Sequence, residues 1–167
     1  MAAKKFLRLV SGVFTEVFGV QSSAGAGNAG DIVALDDTGR ISTTMMPVGV
    51  GADTVSLTAT EGLAAGAWVN IYSGGVRNAD ASGGVAKAAD GFVLEAVTSG
   101  NSALVYKEGT NTQVSGLTLG DDLYLSSTPG VATSTPPSTA NYIVQRIGKS
   151  VGTTAADFER GTPVVLV

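Results

Sequence analysis

The sequence predicts an all-β domain, a small β-sandwich or barrel that follows an N-terminal arm and a glycine-rich linker. After residue 30, short apolar runs alternate with turns rich in Gly, Ser, Thr and Asn, a pattern typical of strands with tight connections. Glycine occupies 23 of the 167 positions, and only 6% of the residues are aromatic, so the apolar content is mainly small. After residue 30, helical periodicity is absent except for a turn near residues 61–65.

The N-terminal arm, residues 1–20, fits either a helix or an extended segment. Its apolar side chains recur at helical spacing, at Phe6, Leu9, Val10, Val13, Phe14, Val17 and Phe18. Gly12, Gly19 and several β-branched residues disfavour a helix, so both conformations stay open. Arg8 and Glu16 interrupt the apolar run that a signal peptide needs, and we therefore do not expect a cleaved leader.

The linker, residues 21–30, is composed of small and polar residues and is predicted to be flexible. Residues 25–30 read GAGNAG, which matches the spacing G-x-G-x-x-G. A dinucleotide site needs a strand before this motif and a helix after it, whereas a short apolar run and a turn follow here. We therefore expect no nucleotide and no other cofactor.

The β domain, residues 31–167, contains eight predicted strands. They lie at residues 32–35, 55–59, 68–72, 91–97, 103–107, 123–125, 142–147 and 163–167. A weak internal repeat aligns residues 63–71 with 117–125, 92–96 with 143–147 and 102–106 with 162–166. Either two similar β motifs build one barrel or sandwich, or glycine- and valine-rich strands resemble each other by chance.

The composition argues against several function classes. The chain has no Cys and no His, which removes disulfides, thiolate zinc sites and the usual catalytic base. The net charge of −4 disfavours a nucleic-acid partner, which normally meets a basic face. No run of about 18 apolar residues exists, so we expect no membrane partner.

Carboxylates and aromatic residues are the remaining candidates for chemistry. The pairs Asp36–Asp37 and Asp121–Asp122 could serve a glycosidase or hold calcium, but Asp next to Gly is common in turns. We therefore predict neither catalytic nor metal-binding residues. Trp68 and Tyr72 share one face of a regular strand, where they serve either core packing or a glycan-binding platform.

Two stretches of the sequence resemble structural proteins of tailed bacteriophages. Residues 30–41, GDIVALDDTGRI, followed by Met46 and Pro47, are similar to a segment G-x-I-V-x-L-x-x-x-G-[KR]-I…P that recurs in those proteins. From Gly49 onwards the chain resembles small β domains of phage head decoration and head-fibre proteins. The matching segments are EGLAAG from residue 61, ADGFVL from residue 89, GLTLG from residue 116 and YLSSTPG from residue 124.

This resemblance implies a non-enzymatic capsid decoration (cement) protein on the outer surface of the phage head. Its partner would be the major capsid protein, and the chain would form a homo-oligomer, with a trimer favoured. The first stretch also occurs in tail fibres, which implies the alternative of a fibre or baseplate adhesin that binds host glycans. In that case Trp68 and Tyr72 would form the platform.

For the decoration protein, the N-terminal arm is the expected capsid-binding segment. Its apolar stripe would contact the capsid, and its basic residues would pair with acidic capsid residues. The candidate residues are Lys4, Lys5, Phe6, Arg8, Phe14 and Phe18. The alternative is that the arm forms the first element of the core.

Overall fold

Strands and short 3-10 turns form the regular structure of this computed structural model, which describes residues 5–46 and 51–167. The all-β prediction is confirmed. Lys4, Pro47 and Gly49 lie outside the described residues. The strands are β1 (Lys5–Val10), β2 (Val13–Phe18), β3 (Thr54–Ala59), β4 (Trp68–Tyr72), β5 (Gly75–Asn78), β6 (Gly91–Val93), β7 (Ser102–Tyr106), β8 (Gly109–Asn111), β9 (Asp122–Leu125), β10 (Ala132–Thr133), β11 (Ile143–Val144), β12 (Arg146–Gly152), β13 (Ala155–Phe158) and β14 (Val164–Val165).

The chain divides into two compact units, Met1–Gly51 and Ala52–Val167, referred to here as the N-terminal unit and the β unit. In the N-terminal unit, β1 and β2 form an antiparallel hairpin. The two residues that join them, Ser11 and Gly12, have φ angles of 50° and 83°. Positive φ at both positions gives the turn whose twist matches a two-residue hairpin. Residues 5–18 of the arm therefore form a hairpin and not a helix.

The predicted linker is part of the N-terminal unit and is held by local hydrogen bonds. Residues Gly25–Asn28 form a 3-10 turn, as do Thr43–Met45. The Asn28 side chain accepts from the Ala24 amide at 2.6 Å and donates to Asp31 at 3.1 Å. Val20 and Val33 form a parallel bridge, so the strand predicted at 32–35 reduces to one bridged residue. The division between the units falls after residue 51, and not at the expected boundary after residue 30.

The first half of the β unit is a closed barrel of five strands, in the order β3-β5-β4-β6-β7. The barrel closes because β3 pairs with β7 on one side and with β5 on the other. Mainly Ala and Val side chains, together with Leu63, fill its interior, as a narrow barrel requires. They are Ala59, Leu63, Ala67, Val69, Val76, Val93, Ala103 and Val105.

The second half of the β unit repeats this arrangement without closing it. Its sheet has the order β10-β9-β12-β13-β8. The barrel, opened between β5 and β3, has the order β5-β4-β6-β7-β3, so each strand of one half has a counterpart in the other. The two edge strands β8 and β10 are not paired with each other in the described structure.

Main-chain hydrogen bonds give the register of the repeat. The amides of Gly66 and Gly120 donate to the carbonyls of Val93 and Ser150, respectively. The sequence alignment of 63–71 with 117–125 therefore agrees with the structure. The later alignments were wrong, because β6 matches β12 near residue 149 and β7 matches β13, not residues 162–166. The loops that connect the strands differ in length between the two halves, so a sequence alignment alone loses the structural register.

A second core cluster contains the large side chains and joins the two halves of the β unit. Trp68 contacts Phe92 and Phe158, with ring centroids 5.7 and 5.5 Å apart. Strand alternation explains this, because Val69 points into the barrel and Trp68 points to its other face. The strands β11 and β14 form a separate two-stranded sheet.

Candidate functional site

The N-terminal unit leaves almost all of its side chains uncovered. Among its described residues, only Gly19 is buried, and glycine has no side chain to contribute to a core. The β unit, in contrast, buries two clusters of side chains. The exposed large apolar residues of the N-terminal unit are Leu7, Leu9, Val10, Val13, Phe14, Phe18, Ile32, Val33, Leu35, Ile41 and Met46.

The register of the hairpin sorts its side chains onto two faces. Residues directly opposite each other in an antiparallel pair share a face, and successive residues alternate. One face, named the Phe14 face, carries Lys5, Leu7, Leu9, Phe14, Glu16 and Phe18. The other face, named the Phe6 face, carries Phe6, Arg8, Val10, Val13, Thr15 and Val17.

The Phe14 face carries the larger apolar side chains and is the more open of the two. Phe14 is 74% exposed and Leu7 is 68% exposed, while Phe6 and Val17 on the opposite face are partly covered. Lys5 donates to Glu16 at 2.8 Å and also lies over the Phe18 ring, 5.1 Å from its centroid. The two charges on this face thus neutralise each other.

The predicted capsid-binding residues lie on both faces of the hairpin. Lys5, Phe14 and Phe18 belong to the Phe14 face, whereas Phe6 and Arg8 belong to the Phe6 face. Arg8 forms an ion pair with Asp31 at 3.5 Å within the same unit. Lys5 and Arg8 therefore have acidic partners already, and a capsid carboxylate would have to compete with them. Lys4 lies outside the described residues.

Sequence reasoning missed Leu7 and Leu9. The helical spacing placed Leu9 in the apolar stripe without singling it out as a contact, and it left Leu7 out altogether. The alternation of Leu7, Leu9 and the polar residue between them is the period-2 signal of a half-exposed strand. Ser11–Gly12, taken as a hairpin turn, would have favoured an extended strand over a helix for this segment.

Trp68 and Tyr72 do not form an exposed aromatic pair. Trp68 is 1% exposed, because it packs between the barrel and the second sheet. Tyr72 is 56% exposed at the end of β4, and the Arg77 guanidinium lies 4.1 Å from its ring centroid. The Trp68–Tyr72 platform expected for a glycan is thus contradicted, since Trp68 would have to leave the core to contact a sugar.

The acidic pairs stabilise turns and ion pairs. Asp36 accepts hydrogen bonds from the Thr38 hydroxyl at 2.7 Å and from the Arg40 amide at 3.0 Å. These bonds, the Thr38 hydroxyl above all, hold the pKa of Asp36 below its usual value. In the β unit, Asp122 and Glu159 both bind Arg146, and Glu159 is the main cause of its raised pKa.

The described residues contain neither a metal-binding cluster nor a membrane-spanning helix. Within residues 5–46 and 51–167, no three acidic side chains gather in a way that would hold a metal ion. In the same residues, no helix combines the length and apolar character needed to cross a bilayer.

The geometry therefore identifies the Phe14 face as the strongest candidate for a functional surface, with exposed apolar side chains beside the paired charges of Lys5 and Glu16. Comparison with protein-family models, with curated proteins and with solved structures found no match for this chain.

Proposed function

We propose that this chain is a non-enzymatic capsid decoration (cement) protein that binds the major capsid protein on the outer surface of a phage head. The observation that carries the proposal is the exposed Phe14 face of an N-terminal unit whose described residues bury no side chain. The similarity of residues 30–41 to phage structural proteins supports the assignment to a virion.

The exposed apolar area of the N-terminal unit is spread over both faces of the hairpin and over residues 32–46. The large apolar side chains together leave on the order of 1,000 Å² in water, about half of it on the Phe14 face, and a standard interface needs about 800 Å² per partner. A contact of standard size would therefore extend beyond the Phe14 face. Burying a single Leu or Phe side chain stabilises by about 1.5–3 kcal/mol. An isolated two-stranded hairpin is only marginally stable in water. Attachment to a partner would therefore stabilise the hairpin and bind the chain at the same time.

The low charge of the hairpin suits a broad contact. Lys5 and Glu16 neutralise each other on the Phe14 face, so a partner need not supply a compensating charge there. Stable interfaces have cores depleted in charged residues and enriched in aromatic ones. A homo-oligomer, with a trimer favoured, would multiply such contacts and raise the avidity for a repetitive lattice.

Copy number is the first test of this proposal. We would quantify the chain against the major capsid protein in purified particles of the phage that encodes it. Hundreds of copies in a simple ratio to the capsid subunit are expected for a lattice-wide cement. A dozen copies or fewer would instead indicate a vertex, tail or fibre position and favour the adhesin. Absence from the particles would refute both.

Substitutions on the Phe14 face test which surface attaches. The double variant Leu9→Ser and Phe14→Ser should lose association with heads that lack the protein, because two exposed apolar contacts are removed. The matched control is Leu119→Ser in the β unit, where Leu119 is 69% exposed. Head binding is measured by co-sedimentation, and folding of the β unit by tryptophan emission. Equal binding of the double variant and the control would exclude the Phe14 face.

A further inference from the structure

The outer edge of β1 is unpaired in the N-terminal unit. The two-residue turn of the hairpin closes on a hydrogen-bonded pair, Val10 with Val13. Hydrogen-bonded and non-hydrogen-bonded pairs alternate along an antiparallel ladder, so the main-chain groups of Lys5, Leu7 and Leu9 point away from β2. Within the described residues, these groups have no other main-chain partner. This edge, named the β1 edge, can therefore accept a further strand.

The outer edge of β2, named the β2 edge, has the same geometry but a charge at its centre. By the same alternation, its outward main-chain groups belong to Phe14, Glu16 and Phe18. If two copies paired along the whole of this edge about a two-fold axis, Glu16 would lie directly opposite Glu16 of the second copy. Like charges directly opposite each other destabilise a strand pair. The β2 edge is therefore unsuited to pairing with its own copy.

The β1 edge, in contrast, is complementary to itself. In the full-length antiparallel register, Leu7 lies opposite Leu7 of the second copy, and Lys5 lies opposite Leu9 of the second copy. On the other face of the sheet, Arg8 lies opposite Phe6 of the second copy. No charge faces a like charge in this register, and two leucines meet at the two-fold axis. Cross-strand pairs of this kind stabilise a sheet.

The charge distribution also permits two copies to approach through this unit. Residues 1–51 contain four basic and four acidic side chains, so the whole net charge of −4 belongs to the β unit. The two basic side chains of β1 have partners inside their own unit: Lys5 binds Glu16 at 2.8 Å and Arg8 binds Asp31 at 3.5 Å. Two N-terminal units can therefore meet without the long-range repulsion that two β units would experience.

We propose that two copies of this chain pair through their β1 edges and form a continuous four-stranded antiparallel sheet. A lone hairpin is marginally stable, whereas three or more strands with an apolar face are stable. Directly opposed residues share a face, so both Phe14 faces lie on the same side of the sheet. Together they offer on the order of 1,000 Å² of apolar surface, against about 800 Å² for one side of a standard interface. This use of the doubled face rests on the capsid proposal, but the dimer itself does not.

Cysteine cross-linking of the full chain tests the pairing, since the chain has no cysteine of its own. The Cα atoms of a hydrogen-bonded antiparallel pair lie about 5.5 Å apart, within the range that a disulfide spans. Leu7→Cys should therefore form a disulfide-linked dimer under mild oxidation. The matched control is Glu16→Cys, because Glu16 lies opposite Leu7 in the hairpin but on the outer strand. Its two copies would be about 14 Å apart in the dimer and should not cross-link.

Charge variants at the two-fold axis give a second test, by sedimentation equilibrium. Leu7→Lys places like charges opposite each other and should weaken the dimer at least tenfold. An equimolar mixture of Leu7→Lys and Leu7→Glu should restore it as a heterodimer, because each lysine then faces a glutamate. The control Phe14→Lys adds the same charge to the same face, but on the outer strand, and should dimerise as the original chain does. Tryptophan emission checks that the β unit is folded in each variant.

Three outcomes would overturn the proposal. The first is no disulfide-linked dimer of Leu7→Cys. The second is a cross-link between Leu7→Cys and Glu16→Cys only when the two are mixed, which would place β1 against β2 of a neighbour and allow the trimer that the phage resemblance implies. The third is no recovery of dimers in the mixture of charge variants. Head binding is measured separately by co-sedimentation: binding without a dimer refutes the dimer alone, and a dimer without binding refutes the capsid proposal alone.

Discussion

Gly91 and Gly148 occupy the same position in the two halves of the β unit, and at each of them a side chain would collide with a main-chain carbonyl. Gly91 pairs with Val69 in the barrel, and Gly148 pairs with Leu123 in the open sheet. A Cβ at Gly91 would overlap the Tyr106 carbonyl, and one at Gly148 would overlap the Asp157 carbonyl. Both glycines let adjacent strands approach closely, so the repeat includes a steric requirement.

Substituting either glycine should destabilise the β unit. We expect Gly91→Ala and Gly148→Ala each to lower the free energy of unfolding by about 2 kcal/mol or more, because the colliding atom is rigid main chain. Gly148 is the more sensitive of the two, since its φ of 147° is also unfavourable for other residues. Urea unfolding followed by tryptophan emission measures both.

Gly152→Ala is the matched control for the two glycine variants. Gly152 lies in β12 with Gly148, and an added Cβ would make only ordinary contacts with Ala155. We expect its unfolding free energy to stay within about 0.5 kcal/mol of the original. A loss at Gly152 as large as that at Gly148 would contradict the steric explanation.

Trp68 should be essential for stability through its volume and not through its polar group. Trp68→Ala should cost about 3–5 kcal/mol, because it leaves a cavity between Phe92 and Phe158. Trp68→Phe should cost clearly less, because it also removes the unpaired indole N–H. Thermal unfolding followed by far-ultraviolet dichroism compares the two. Equal losses would contradict the explanation by volume.

Gln145 should be required for its amide, because it joins two buried segments. Its Oε1 accepts from the Ala89 amide at 2.7 Å, and its Nε2 donates to the carbonyls of Ala89 and Gly161. Gln145→Leu leaves these three groups unpaired, and we expect a loss of about 3 kcal/mol in the free energy of unfolding. The exposed residue Gln113 gives the control, Gln113→Leu, with little expected change.

Gln145→Glu should make stability depend on pH. Burial favours the neutral carboxyl and raises its pKa above that of the unfolded chain. For an acid whose folded pKa is raised, stability is retained at acid pH and falls as the pH rises through that range. We therefore expect this variant to be less destabilised near pH 4 than near pH 7, whereas Gln145→Leu should show no such difference. Chemical unfolding at both pH values distinguishes them.

The turn at Asp36 should lose its order at acid pH. Hydrogen bonds from Thr38 and Arg40 lower the pKa of Asp36 in the folded state. Its contribution is thus present above the unfolded pKa of about 4 and is lost as the pH falls through the lower, folded value. Carboxyl NMR should give a midpoint below that of free Asp, and Thr38→Val should move it upwards. An unchanged midpoint in Thr38→Val would exclude the hydroxyl as the main cause.

The sequence predicts the strands whose apolar and polar residues alternate locally. It does not predict the strands that form because a distant strand pairs with them. The strand predicted at residues 68–72 matches β4, because Trp-Val-Asn-Ile-Tyr has strong β propensity. The short strands β8 and β13, with sequences GTN and AADF, have too weak a local pattern to be predicted, and they form because β13 pairs with both β12 and β8. The hairpin stayed undecided, because its apolar residues fit both periods.

The residues of the Phe14 face were predictable only in part, because the local pattern does not show which residues pair or what covers them. Phe14 and Phe18 were identified from the apolar stripe, but their neighbours on the same face depend on the β period. Burial of Trp68 depends on Phe158, which lies far along the chain and reaches it only in the folded state. Single-strand periodicity places Trp68 and Tyr72 on one face, but it contains no information on what covers each of them.

The hairpin precedes the β unit in the chain, so it is synthesised first, and this order affects how the nascent chain folds. Its two strands are joined by two residues, so it forms within microseconds once it leaves the ribosome. The β unit must wait for residues 155–158 before β13 can pair with β8. Nascent chains on one polysome therefore present apolar strand edges to each other before their β units are complete, a situation that favours aggregation. Production of the chain is accordingly expected to benefit from low temperature and slow translation.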